Sequence, residues 1–221
     1  MTIVDNARPV QADQNPAGSE VRARVHVPLK TPLGQWLKAD VFSFRGLADH
    51  GEHLAIGLGD YTGSTEPLVR VHSECLTGDV LGSARCDCGP QLQEALTEIE
   101  SAGGVLLYLR QEGRGIGLYN KIDTYVLQDQ GMDTYEANEH LDLNADSRDY
   151  QVAADMLSAL GITRIRLLTN NPEKVRQLQQ CGVQVVERVS TGVFVTPYNR
   201  HYLQTKARKT HHAIEVPQHA G

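Results

Sequence analysis

Cys75, Cys86 and Cys88 fall within fourteen residues, in the run Cys75-Leu-Thr-Gly-Asp-Val-Leu-Gly-Ser-Ala-Arg-Cys86-Asp-Cys88, with no histidine between the first and the last. Three thiolates can hold one zinc ion and leave its fourth tetrahedral position for water, which separates a hydrolytic zinc site from a closed structural one. A structural knuckle takes four protein ligands, typically as two separated pairs, and no fourth cysteine or histidine has obvious partner spacing here. Ligand count therefore favours a catalytic ion. His72, three residues before Cys75, is the side chain that would reverse this by closing the site. Three thiolates leave a bound dication with net negative charge, so a nearby positive charge or a base must help.

A second constellation, Gln111-Glu112-Gly113-Arg114-Gly115-Ile116-Gly117, lies between an expected strand and an expected helix. Glycines there let backbone N–H groups approach phosphate oxygens. The spacing matches neither the dinucleotide fingerprint nor the Walker A loop, and a plain tight turn reads as well. Glu112 could accept hydrogen bonds from the N–H edge of guanine, and Arg114 could hold a phosphate; the alternative for both is a solvated surface pair. In Asn144-Ala-Asp146-Ser-Arg148-Asp149, helix capping by Asp146 competes with a catalytic role. Thr169-Asn170-Asn171-Pro172, with Lys174 following, sits at the carboxyl end of an expected strand, where α/β proteins bind ligands. Lys174 in a first helical turn opposes the helix dipole, which a bound anion would explain.

These groups need a frame. Residues 1–20 carry no apolar period and read as a flexible leader. Short apolar and β-branched segments over residues 25–44 and 53–59, broken by Pro, Gly and Asp, predict antiparallel strands. Residues 68–72 predict a strand that delivers Ser73, Glu74 and Cys75 to its end. Leu92, Ala95, Leu96 and Ile99 then mark a helix stopped by Gly103 and Gly104, followed by a buried strand over 105–109. Leu118, Ile122, Tyr125 and Val126 line one face of a second helix, and Ala153, Met156, Leu157 and Leu160 one face of a third, closed by Gly161. A strand over 164–169, a helix capped by Asn171 with Pro172 first, and a strand over 183–189 complete the pattern. The fold class is α/β, with a β-rich N-terminal part packed on a strand-helix-strand core. One catalytic domain over 21–200 is expected, with a polar tail over 201–221.

The net charge is −6, with 21 Lys and Arg against 27 Asp and Glu, which argues against a large nucleic-acid footprint. No apolar run reaches the roughly 18 residues of a membrane span, and the first twenty residues lack a secretory pattern, so a cytosolic protein is expected. Cys86 and Cys88 are too close to pair without strain, which fits a reducing compartment. Cys181 reads as a small buried hydrophobe.

The strings RVHSECLTGD, RCDCG, RQEGRGIGL, KIDTYVLQDQG, DTYEAN, ADSRDY and LLTNNPEK, in this order between Arg70 and Val189, resemble the GTP cyclohydrolase II family. The resemblance implies a zinc enzyme that opens the guanine ring of GTP to begin riboflavin synthesis, in a stand-alone form without the dihydroxybutanone phosphate synthase half. It implies that Cys75, Cys86 and Cys88 bind zinc and that Arg70, Val71, His72, Ser73, Glu74, Gln91, Glu112, Gly113, Arg114, Thr134, Thr169 and Lys174 contact GTP. Asp146 corresponds to the family's proton acceptor, Arg148 to its nucleophile toward the α-phosphorus, and Tyr125 to a tyrosine that completes ring opening. A guanidinium with a pKa above roughly 12 is a poor nucleophile, and clamping the triphosphate is the simpler role for Arg148. Mg²⁺ with the triphosphate, release of pyrophosphate and formate, and a homodimer are further implications. The chain departs from many relatives at Val189-Ser190-Thr191-Gly192-Val193, where they carry Pro and Leu. Two other readings compete: a paralogue that stops at the formamide, and a nucleotide-binding regulator whose zinc is structural.

Overall fold

A strand that is apolar along its whole length has to be covered on both faces. The computed structural model of the chain describes residues 18–32, 34–49, 51–144, 148–200 and 202–205. Its strands are β1 (Glu20–Lys30), β2 (Trp36–Arg45), β3 (Leu54–Leu58), β4 (Leu68–Ser73), β5 (Gly104–Leu109), β6 (Arg164–Leu168) and β7 (Gln184–Val189). They form one sheet in the order β1-β2-β3-β5-β4-β6-β7. β1, β2 and β3 pair antiparallel, and β3 joins β5 antiparallel. From β5 to β7 the neighbours run parallel.

Both faces of the parallel half are covered. Val69, Val71, Val105, Leu107, Ile165 and Leu167 pack on one side with Val152, Ala153, Met156 and Leu157 of α5 (Gln151–Ala159) and Leu178 of α6 (Pro172–Gln180). Leu68, Leu106 and Leu168 face the other way, against Ala95, Leu96 and Ile99 of α2 (Cys88–Ala102). The period of two along each strand thus divides its side chains between two cores.

The chain leaves β4 for β5 on one side and later returns to β6 on the other side of β4, so the order of connections reverses at β4. Such a reversal opens a crevice at the carboxyl ends of the two strands that flank it. β4 and β6 pair only at Leu68–Arg166 and Val69–Leu167, whereas β4 stays paired with β5 as far as Ser73. Past Val69 the two strands part, and Arg70 reaches across, Nη1 donating to the Leu168 carbonyl at 3.0 Å.

The expected helix boundaries hold at α2, which stops at Gly103, and at α6, where Asn171 Oδ1 accepts the Glu173 N–H at 2.9 Å ahead of Pro172. At α5 the capping acceptor is Asp149, whose Oδ1 takes the Gln151 N–H at 2.8 Å; Asp146 lies outside the described residues. Two short helices were not expected. One is α1 (Leu76–Asp79) and the other α4 (Thr134–His140), which starts in a reciprocal capping box between Asp133 and Glu136. Half of the expected apolar face of α3 (Leu118–Asp129) is turned outward: Ile122 is 41% and Val126 55% exposed, Leu118 and Tyr125 are partly buried, and Lys121 and Thr124 are its buried residues. Most of the expected leader and tail, residues 1–17 and 206–221, lies outside the described residues. Among the described residues no helix is long and apolar enough to cross a membrane.

Gly104 opens β5 where a Cβ would overlap the Leu68 carbonyl of β4. Gly104→Ala is expected to destabilise the chain by about 1–3 kcal/mol, as overpacking does, read as a lower urea midpoint with an unchanged slope.

Candidate active site

Cys75 follows β4 and caps α1, Cys88 is the first residue of α2, and Cys86 lies between the two helices. The sulfurs of Cys75 and Cys86 are 3.6 Å apart, and all three sulfurs lie within 4.8 Å of one another. A tetrahedron with metal–sulfur bonds of about 2.3 Å has an edge of about 3.8 Å, so the three fit one zinc ion. Gly78 makes this approach possible, since a Cβ there would come 2.8 Å from Cys86 Sγ and 3.1 Å from Cys75 Sγ. The N-terminus of α2 adds positive partial charge at Cys88.

His72 does not join the cluster. Its Nε2 lies 3.1 Å from both oxygens of Asp79, and its ring stacks on Tyr108. Burial pulls the His72 pKa down, which favours the neutral ring, and with the Asp79 carboxylate as acceptor the Nε2 atom carries a proton. Asp79 also accepts from Tyr108 Oη at 2.9 Å and from the Cys75 N–H at 3.0 Å, bracing the loop that carries the first sulfur.

Charge around the sulfurs is arranged unevenly. Hydrogen bonds from Cys86 and Cys88, together with Lys121, hold the Cys75 thiol well below its ordinary range. Hydrogen bonding to Cys75 pushes Cys86 up to about 11, and Cys75 and Cys86 together push Cys88 up as well. Of the three, Cys75 is therefore the sulfur most disposed to ionise. Lys121 Nζ donates to Cys75 Sγ at 3.1 Å and to Glu112 Oε1 at 2.7 Å. Glu112 Oε1 also accepts the Gly113 N–H, and Oε2 accepts the Leu76 N–H at 2.7 Å. One lone pair on Oε2 remains for another donor. Gly113 and Arg114, in the tight turn over Glu112–Gly115, have positive φ of 61° and 62°; for arginine that conformation is strained, and it aims the side chain into the crevice.

One pocket gathers the residues named from sequence. It is lined by Arg70, His72, Ser73, Glu74, Gln91, Glu112, Gly113, Arg114, Thr134, Thr169 and Lys174, together with the three cysteines, Tyr125 and Arg148. Val71 is the exception: its side chain is in the core, and only its carbonyl turns toward this region, accepting from Lys174 Nζ at 2.6 Å. Gln91 is engaged at both ends, accepting from Arg70 Nη2 at 2.8 Å and donating to Asp87 at 2.6 Å. Tyr125 Oη is 3.4 Å from Thr77 Oγ1, beside Cys75, and burial raises its pKa. The pocket carries Arg70, Arg85, Arg114, Lys121, Arg148 and Lys174 against the carboxylates of Glu74 and Glu112. Arg70 Nε, Ser73 Oγ, Arg114 Nη1 and Thr191 Oγ1 are buried there without a hydrogen-bond partner among the described residues. Buried donors of this kind call for a ligand.

Lys121, Asp79, Arg85, Thr191 and Tyr202 were not picked out from sequence. Lys121 had a legible signal: it sits three residues after Leu118 and four before Tyr125, a charge on the expected apolar side of α3. Thr191 is held by Asn170 through two hydrogen bonds, to its N–H and its carbonyl.

Metal uptake must displace protons from thiols whose pKa the neighbouring sulfurs raise. Binding of zinc near neutral pH is therefore expected to release protons, read with a pH indicator in weak buffer. Affinity should rise with pH until those thiols ionise unaided, and fall as pH drops. Gly78→Ala should lose stoichiometric zinc, measured by chelator competition.

The profile of the GTP cyclohydrolase II family matches residues 22–190. The chain is 53% identical over 200 residues to a GTP cyclohydrolase-2 of Vibrio parahaemolyticus, covering 90% of this chain and 100% of that one. A GTP cyclohydrolase-2 of Hahella chejuensis is 55% identical over 191 residues, covering 86% and 91%. One from Shigella dysenteriae is 52% identical over 196 residues, covering 88% and 98%. With a pocket of six cations beside three clustered sulfurs and this extent of likeness, the chain belongs to the GTP cyclohydrolase II family of enzymes.

Proposed function

We propose that the chain hydrolyses GTP in a zinc-dependent reaction, opening the imidazole ring of guanine and releasing formate, pyrophosphate and a diaminopyrimidinone ribosyl 5′-phosphate, the first step of riboflavin biosynthesis. The observation that carries this reading is the concentration of six cationic side chains in one pocket of a protein whose net charge is −6, next to the sulfur cluster. A polyanion with a polar heterocycle answers both halves of that pocket.

Arg114, Lys174 and Arg148 are the candidates to hold the triphosphate, each a cation lining the pocket. Arg148 acts here as an electrostatic clamp on the leaving phosphates, since a guanidinium keeps its proton in any accessible pH range. Magnesium travels with the triphosphate as part of the substrate. The remaining lone pair of Glu112 Oε2 accepts from the N–H edge of guanine, and His72 lines the same pocket. When bound by the three sulfurs, zinc supplies Lewis acidity for the hydrolytic steps. Tyr125, whose phenol stays protonated next to Thr77, donates a proton during ring opening. Asp146, outside the described residues, takes the role of proton acceptor that the family implies.

A homodimer accompanies this reading, and Tyr119, Ile122 and Val126 of α3 offer it an exposed apolar stripe. The free thiols of the sulfur cluster fit a reducing compartment such as the cytoplasm.

Incubation of the zinc-loaded protein with GTP and Mg²⁺ should yield formate and pyrophosphate, followed by enzymatic assay of both; absence of both products refutes the reading. Tyr125→Phe should accumulate the formamide, seen by mass spectrometry. Arg114→Ala should raise KM for GTP roughly tenfold or more, as loss of a charged hydrogen bond worth about 1.5–3 kcal/mol requires.

A further inference from the structure

We propose that Lys121 is a positioning residue of the metal site, its ammonium holding the Cys75 sulfur and offsetting the charge of the three-thiolate set, with Glu112 as its anchor. This rests on the reading of Cys75, Cys86 and Cys88 as metal ligands.

Lys121 is 9% exposed and spends an inward position of α3 on an ammonium, which costs several kcal/mol in a buried place unless it is well paired. Its two partners come from different elements: Cys75 from the end of β4 at 3.1 Å, and Glu112 from the turn after β5 at 2.7 Å. A plain ion pair with Glu112 does not account for the sulfur contact. Glu112 is already fixed by the N–H groups of Leu76 and Gly113, so its carboxylate is held without the lysine. What Lys121 adds is positive charge at sulfur.

The charge balance points the same way. Three thiolates around a dication leave one negative charge, and Glu112 brings a second. Lys121, in contact with both Cys75 Sγ and Glu112 Oε1, brings positive charge to where the two meet. A cationic donor on a thiolate draws its lone pairs down in energy, so sulfur-to-metal charge transfer moves to shorter wavelength, an effect of the shell behind the ligands.

The test uses Co²⁺ as a spectroscopic replacement and needs no substrate. Wild type, Lys121→Gln, Lys121→Arg and Glu112→Gln are loaded with Co²⁺, and the near-ultraviolet thiolate-to-cobalt band is recorded. The band is expected at longer wavelength in Lys121→Gln, back toward the wild-type position in Lys121→Arg, and at shorter wavelength in Glu112→Gln, where the ammonium is no longer shared with a carboxylate. Turnover of Lys121→Gln should fall about 10- to 100-fold, with partial recovery in Lys121→Arg. A Lys121→Gln band that coincides with wild type overturns the role of Lys121. Should Lys121→Gln fail to fold, an unshifted band in Glu112→Gln overturns it equally. Failure of the wild type to bind Co²⁺ at all overturns the metal reading, and this inference with it; normal Co²⁺ binding with unmoved bands overturns only the lysine.

Discussion

Sulfur atoms 3.6 Å apart repel one another by roughly 4–5 kcal/mol once ionised, taking an effective dielectric of about 20. The surroundings of the three cysteines are organised against that repulsion. Cys86 lies within hydrogen-bond reach of Cys75, Lys121 donates to Cys75 from α3, and Cys88 starts α2, where the helix dipole favours negative charge. Asp79 ties the Cys75 backbone to His72 and Tyr108, so the loop cannot relax by moving the first sulfur away. Gly78 leaves the room in which the sulfurs meet. A dication at the centre converts the repulsion into attraction, and the geometry suits one.

The position of this cluster follows from the sheet. Because the connections reverse at β4, the segments after β4, β5 and β6 all empty into one crevice: Cys75 and Glu74 from the first, Glu112 and Arg114 from the second, Thr169 and Lys174 from the third. Arg70 and Lys174 are buried where β4 and β6 separate, each donating to a main-chain carbonyl, of Leu168 and Val71. Both are thus frame and lining at once, and the same is true of Gln91, held between Arg70 and Asp87.

α3 shows where periodicity misleads. Leu118, Ile122, Tyr125 and Val126 form a sound apolar stripe, yet the helix buries Lys121 and Thr124 and leaves Ile122 and Val126 half exposed. A helix beside a polar pocket turns its polar side inward, and a hydrophobic pattern cannot tell a core from a pocket. The short helices α1 and α4 escaped for another reason: at four and seven residues they are too brief for a period to register, although the capping box Asp133-Thr-Tyr-Glu136 marks the start of the second.

By itself the amino-acid sequence determined the elements with strong local signals. The apolar runs of β4, β5 and β6, the Asn171-Pro172 start of α6, the glycine stop of α2 and the three-cysteine spacing all depend on residues close in the chain, where sterics and hydrogen bonding act without reference to the rest. Tertiary structure alone decided that His72 turns to Asp79 instead of a metal, that Glu112 braces the Cys75 loop, and that a lysine 46 residues from Cys75 donates to its sulfur. Those contacts join segments brought together by the order of strands in the sheet, and the energy that selects them, the cost of an unpaired charge in a buried place, exists only after the chain has closed around it.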